Sequence, residues 1–230
     1  MYHHHFAWLT AIRFSLREPT IWENLNDPGT ARFMAQLPSP EKQSSLTAEL
    51  TACLSGTELQ EVLAHPGDKP TFILGWHYQE LGAMHFKEII EGSVFANLIS
   101  ATDNFFRLQD SLQRIKKYPY PRNFYSITRI LVWGFAGLVP FAFFPFALEL
   151  GKSSGIERWT VWLNIVFSIM IGWVFVTLEK VGEHSSNPFE GNVNDVPFSA
   201  IARQIEIEMR TMLGERTELK PIDPKYNILF

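Results

Sequence analysis

Two long apolar runs occupy the second half of the chain. Residues 159–178 are twenty consecutive residues without a charge, and as a helix they would extend about 30 Å, the hydrocarbon thickness of a bilayer. A second run covers residues 130–148, and a charged connection at 149–158 joins the two. The pattern predicts a transmembrane helical hairpin. Two buried core helices of a soluble protein are the alternative, but such helices rarely run 18 or more residues without a charge.

Two prolines and the flanking charges refine this prediction. Pro140 and Pro145 each lack an N–H and clash with the carbonyl four residues earlier, so we expect the first membrane helix to kink or break near Pro140. Five basic residues precede this helix, whereas the connection offers only Lys152 and Arg158. Because basic flanks stay on the cytoplasmic side, both ends of the hairpin are predicted to be cytoplasmic.

Outside the hairpin the apolar positions follow helical spacing. They predict helices over residues 2–17, about 40–54, about 58–65, about 70–91, 93–117 and from about 197 onward. The predicted fold is all-α: a membrane helical hairpin plus a cytoplasmic helical bundle. We expect three regions, namely a cytoplasmic helical region at 1–120, the hairpin at 121–180, and a cytoplasmic turn and helix at 181–230.

Local signals predict how some of these helices begin and pack. Ser39 before Pro40 is typical of a helix start, and Thr57 with Gln60 three residues later matches a capping box. Asn26-Asp27-Pro28-Gly29 is typical of a loop. The tail helix has Ile201, Ile205 and Met209 on one face at four-residue spacing, and we expect this face to pack on the cytoplasmic helices.

Composition excludes several classes of protein. With 19% charged residues and a net charge of −4, the chain is too polar to consist of membrane helices alone. The acidic balance and the lack of a basic stripe argue against nucleic acid as a partner. Cys53 is the single cysteine, which excludes an intrachain disulfide. No cofactor is predicted, because the sequence has no glycine-rich phosphate loop, nucleophile elbow or paired-cysteine zinc spacing.

Histidine and glutamate residues raise the question of a metal site. His77, Glu80, His85 and Glu88 lie on one predicted helix, and such side chains bind zinc or iron when they converge. They form two pairs separated by two turns, which favours structural or solvent-exposed roles. The histidines at residues 3–5 would suit either a metal or a basic segment next to the membrane.

An oxygen-rich turn follows the second membrane helix. Asn187-Pro188 ends that helix, and Gly191 permits a positive φ. The oxygens that follow would suit a weak cation site, and they come from Glu190, Asn192, Asn194 and Asp195. Capping of the tail helix by Asp195 is the alternative, and these residues alone favour capping.

This turn and several other short motifs along the chain resemble a known family. The motifs that carry the resemblance are FAWLTAIR at 6–13, YPYPR at 118–122, EKVGE at 179–183, NPFEG at 187–191, DVP at 195–197 and IEIE at 205–208. In this order and around two membrane helices they strongly resemble the bacterial branch of the bestrophin family. We call Asn187, Pro188, Phe189, Glu190, Gly191 and Asp195 the motif turn.

The resemblance implies a homopentameric, all-helical ion channel in a plasma membrane or bacterial inner membrane. Its partners would be membrane lipid and permeant ions. Chloride is the first choice of ion, because the animal members are calcium-activated chloride channels, and cation conduction stays open because some bacterial members favour cations. The family's narrow cytoplasmic exit would correspond here to the region of Phe95, Leu98 and Ile99.

Two departures from the family pattern matter. Bestrophins normally begin with two further membrane helices, so the resemblance implies that this chain lacks the pore neck, as a truncated product would. A nonconducting scaffold, which the missing neck would favour, is one alternative. A membrane-anchored enzyme, with the hairpin as its anchor and the helix of His77, Glu80, His85 and Glu88 as its metal-dependent site, is another. In animal members a run of aspartates follows the Asn-Pro-Phe motif, whereas only Glu190 and Asp195 are acidic here. We do not expect tight calcium activation, because affinity follows ligand charge and number.

Overall fold

A computed structural model describes residues 1–20, 28–118, 122–155, 157–184, 188–191, 195–215, 219–226 and 228–229, with side chains at all of these except 28–30, 122–125 and 183–184. The helices are α1 (Tyr2–Arg17), α2 (Pro28–Gln36), α3 (Pro40–Gln43), α4 (Leu46–Leu50), α5 (Gly56–Ala64), α6 (Lys69–Phe86), α7 (Gly92–Lys117), α8 (Arg122–Ser153), a 3₁₀ turn (Glu157–Trp159), α9 (Thr160–His184) and α10 (Phe198–Met212). Over the described ranges the only β pairing is an isolated bridge between Lys225 and Ile228. The all-α prediction is confirmed.

The chain forms two compact units. Met1–Lys117 together with Pro188–Phe230 forms the first, which we call the polar unit, and Tyr118–Asn187 forms the second, the hairpin unit. In the polar unit α1 packs against α6, α4, α10 and α7. Its buried apolar side chains Trp8, Ile12 and Leu16 recur every four residues and enter the core. Helix α1 is thus the central element of this unit.

Polar side chains join the helices around α1. Asp68 caps α6 by accepting from the Thr71 amide at 3.1 Å, and it also accepts from Gln109 Nε2 of α7 at 3.1 Å. The buried Gln109 accepts in turn from Trp8 Nε1 at 2.7 Å. This chain of hydrogen bonds fixes the start of α6 against both α1 and α7.

Several local predictions need correction. The single helix expected at 40–54 is two short helices, because Ser45 caps α4 by accepting from the Ala48 amide at 3.2 Å. The capping box uses Ser55 and Glu58 rather than Thr57 and Gln60. Pro28 and Gly29, which were expected in a loop, begin helix α2. Ser39 precedes α3 as expected, but its side chain makes no capping hydrogen bond.

The most buried residues of the tail helix are not those of the predicted apolar stripe. Helix α10 packs on α1, and its buried residues are the small Ser199 and Ala202. Of the predicted stripe, Ile201 is 45% exposed, whereas Ile205 and Met209 are half-buried. Small side chains let the two helices approach closely, and the guanidinium of Arg210 lies 4.6 Å from the centre of the Phe6 ring.

The hairpin unit consists of α8 and α9 packed against each other. Helix α8 continues through Pro140 and Pro145 over 32 residues, so of the kink or break expected near Pro140 the break does not occur. Asn164 Nδ2 donates to the Pro140 carbonyl at 3.2 Å. At the connected end, the Cα hydrogens of Gly151 face the Thr160 hydroxyl so closely that a Cβ there would overlap it.

The surface of the hairpin unit is apolar. Ser126–Ser153 and Glu157–Gly182 are each long and apolar enough to cross a membrane, and only 11% of the most apolar window of each is buried. Core helices of a soluble protein would be mostly buried instead. The exposed apolar surface therefore favours the membrane hairpin over the soluble alternative.

Candidate functional site

The motif turn is closed by the carboxylate of Asp195. Asp195 Oδ1 accepts from the amides of Phe189 and Val196, both at 2.8 Å. Oδ2 accepts from the Gly191 amide at 2.7 Å and from Arg17 Nη1 at 2.6 Å. Phe189 and Gly191 both have positive φ, at 67° and 89°. The hydrogen bonds from these backbone amides to Asp195 compensate for the strained backbone conformation of Phe189.

Arg17 connects the turn to a buried cluster of charges. Its Nε lies 3.7 Å from Glu41 Oε2 of α3. Arg13, one turn earlier on α1, places Nε 3.1 Å from Glu41 Oε1 and a second nitrogen against Glu49 of α4. The side chains of Arg13 and Arg17 are each 5% exposed, and those of Glu41 and Asp195 are 2% and 6% exposed. Four of the five charged groups are therefore almost wholly removed from water.

The cluster ties distant parts of the chain to one face of α1. Ser199, at the start of α10, donates from Oγ to Glu41 Oε1 at 2.5 Å. Burial lowers the pKa of Arg13 while the charge of Glu41 raises it, and an arginine side chain stays protonated in proteins. Removing one member of such a buried pair leaves an uncompensated charge, which typically costs about 3–5 kcal/mol. Helices α1, α3 and α10 and the motif turn are therefore held as one assembly.

This geometry corrects the interpretation of the turn as a helix cap. The residue before α10 is Pro197, which makes no side-chain capping bond, and the oxygens of Asp195 are occupied by Arg17 and by amides that precede the helix. Glu190 is buried in the turn. Asn187, Asn192 and Asn194 lie outside the described residues, so the cation site that includes them stays a prediction.

The four residues of the suggested metal cluster point to different surroundings. His77 is buried beside His5, whereas Glu80 lies 2.7 Å from His4 Nδ1. His85 stacks on another ring at the start of α7, and Glu88 is exposed in a turn. Among the residues that the structure describes, no three His, Cys, Asp or Glu side chains are arranged to hold a metal ion.

The histidines near the start of α1 have separate environments. His4 lies between two carboxylates, with Nε2 2.8 Å from Glu58 Oε1 and Nδ1 at Glu80. The ring of His5 packs among Trp8, Phe105 and His77. Burial, and then the charge of His77, lowers the pKa of His5 to about 4. These pairings join α1 to α5, α6 and α7, which the histidine run alone did not predict.

The residues assigned by resemblance to an ion exit lie on the first turns of α7. Phe95, Leu98 and Ile99 are half-buried in the described chain. The ring of Phe95 stacks on that of His85 with centroids 4.5 Å apart. Their role in an ion pathway stays a prediction.

Comparison with known proteins supports the same family as the sequence motifs. The family model described as Bacterial/Fungal Bestrophin protein matches residues 1–211. The Voltage-dependent anion channel-forming protein YneE of Escherichia coli K12 is 26% identical over 171 residues, which are 73% of this chain and 51% of that protein. The Salmonella typhi protein of the same name is 25% identical over 123 residues, or 54% of this chain and 36% of that one.

Solved structures show the same fold. The crystal structure of a bacterial bestrophin homolog from Klebsiella pneumoniae, phased with zinc, gives a TM-score of 0.66 at 19% identity, over 94% of this chain and 67% of that one. The same homolog carrying the mutation L177T gives 0.67 at 19% identity, over 93% and 67%. The chain spans about half the length of the E. coli relative. With a family match over most of its residues, the chain belongs to the bestrophin family.

Proposed function

We propose that this chain is a subunit of an anion-conducting membrane channel, with chloride as its first-choice ion and cation conduction as the alternative. The observation that carries the proposal is the family match over residues 1–211. The name of the YneE relatives, which describes voltage-dependent anion channel formation, favours anions over cations.

The hairpin unit is the membrane anchor in this proposal. Its two candidate spans are 28 and 26 residues long, and each contains an apolar window of 18 residues. A helix satisfies its own backbone hydrogen bonds in lipid. Basic residues precede α8, so both ends of the hairpin face the cytoplasm of the cell, in a plasma membrane or bacterial inner membrane. The regions 1–120 and 181–230 then lie on the cytoplasmic side. They coincide with the polar unit except for the few residues of each that adjoin the hairpin.

Ion conduction requires several copies of the chain around one axis. Five copies with the α7 helices facing this axis would place Phe95, Leu98 and Ile99 at a constriction. Apolar rings of this kind control ion passage by size and by ease of wetting. On another face of the same helix, polar side chains line an open concave surface, and they are Asn97, Ser100, Asp103, Asn104 and Arg107.

Flux through reconstituted liposomes tests the proposal. The chain, alone and extended by any helices encoded upstream in frame, is reconstituted with a chloride or a sodium gradient. We expect chloride flux to exceed sodium flux. Phe95→Ala should change the flux by widening the exit, whereas Phe106→Ala, at an exposed position of the same helix, is the matched control and should not.

The outcomes separate the hypotheses. Sodium flux above chloride flux would move the proposal to a cation channel. No flux with either form would contradict conduction and favour the nonconducting scaffold. Equal effects of the two phenylalanine substitutions would remove Phe95 from the ion pathway while leaving conduction itself intact.

A further inference from the structure

We infer that Arg17 supplies, from within the chain, the positive charge of the motif turn, so that the turn is closed without a metal ion. The inference concerns the polar unit alone and does not depend on the proposed conduction. An oxygen-rich turn of this composition suits a hard cation. Here the guanidinium of a neighbouring helix occupies the position next to its carboxylate.

The contacts of Asp195 carry the inference. An ionised carboxylate has about four lone-pair sites, and Asp195 uses four contacts, three with backbone amides and one with Arg17. Calcium takes six to eight oxygen ligands, and to recruit Asp195 it would have to displace either the guanidinium or an amide that closes the turn. The carboxylate of Asp195 therefore fits a calcium ion poorly.

The position of Arg17 is itself fixed from two sides. Its Nη1 contacts Asp195 and its Nε faces Glu41, so one guanidinium lies between two buried carboxylates. Nη1 of Arg17 lies 3.4 Å from the position that a Cβ on Gly191 would take. The backbone of the turn therefore passes directly beside the guanidinium. A planar group with several donors suits this bridging role, whereas an ammonium ion presents a single point of charge.

Hydrogen exchange at the turn tests the inference locally. The full chain in detergent is compared with Arg17→Gln, Arg17→Lys and a surface control, Arg114→Gln, which replaces a side chain that is 70% exposed. Peptides that cover residues 188–197 report the amides that Asp195 holds. Each form is measured in 5 mM calcium chloride and in a calcium chelator.

We expect the wild-type turn to exchange at the same rate with and without calcium. Arg17→Gln should exchange more than about tenfold faster at the turn, because a buried carboxylate then lacks its counter-charge. Arg17→Lys should show a smaller increase, since the charge remains without the planar fork, and Arg114→Gln should show none. The lysine variant keeps the test informative if the glutamine variant does not fold.

Two results would overturn the inference. One is calcium-dependent protection of the wild-type turn that Asp195→Asn abolishes, because the turn would then be a calcium site. The other is an exchange rate in both Arg17 variants no faster than in the Arg114→Gln control, because the guanidinium would then not hold the turn.

Discussion

Acidification from pH 7 to pH 5 is expected to destabilise the polar unit through His5. The imidazole packs among Trp8, Phe105 and His77, and its pKa falls from 6.5 to about 4 mainly because burial disfavours the charged form. In the unfolded chain His5 titrates near its ordinary pKa. Between these two values the unfolded state binds more protons than the folded state, so stability falls as the pH falls.

The magnitude follows from the two pKa values of His5. At pH 5 the unfolded histidine is almost fully protonated while the folded one is mostly neutral, which lowers the free energy of unfolding by about 2 kcal/mol. The loss approaches about 3 kcal/mol as the pH nears 4. The pKa of Glu58 is lowered from 4.5 to about 2, chiefly by a hydrogen bond with Ser55, so this carboxylate contributes little to the change above pH 5.

Urea unfolding at both pH values provides the assay. His5→Phe keeps a ring among the aromatic neighbours but does not titrate, so it should lose about 2 kcal/mol less stability than the wild type between pH 7 and pH 5. His3→Gln, at an exposed position on the same helix, is the control and should follow the wild type. The reasoning is refuted if His5→Phe shows the wild-type pH dependence.

Three further predictions concern other positions. Gly151→Ala should lower the free energy of unfolding of the hairpin by about 1–3 kcal/mol, because the new methyl group overlaps Thr160. Gly137→Ala, where an added Cβ would meet no neighbouring group within 4 Å, is the control, and equal melting temperatures would contradict the packing. Asn164→Leu removes the hydrogen bond onto α8 and should cost about 1 kcal/mol in the same assay; an unchanged melting temperature would contradict a role for that bond. Burial raises the pKa of Cys53 to about 11, so maleimide labelling at pH 7.5 should be slow until urea unfolds the chain, and rapid labelling of the folded chain would exclude this environment.

Elements with strong local signals were predictable from the sequence. Helix α1 occupies Tyr2–Arg17 as its apolar spacing indicated, and α7 and α10 begin within one or two residues of the predicted starts. The hairpin followed from twenty uncharged residues, since few soluble helices share that property. The continuity of α8 through Pro140 did not follow, because the proline rule is local and packing against α9 is not.

The buried charges were not predictable from local pattern. Arg13 and Arg17 look like ordinary polar residues of an amphipathic helix, and only the fold brings Glu41 and Asp195 to them. Capping shows the same limitation, because Ser55 and Thr57 both match the sequence signature and geometry selects the first. Ser199 and Ala202 are buried rather than Ile201 for a related reason, since close helix packing favoured small side chains over the more apolar one.

The most direct test of the central claim is ion flux through liposomes that contain this chain, alone and with any helices encoded upstream in frame, under matched chloride and sodium gradients. An anion channel of the bestrophin family predicts chloride flux well above sodium flux in at least one of these forms. The account is contradicted if liposomes with the chain alone and liposomes with the extended chain are both no more permeable to chloride and sodium than protein-free liposomes.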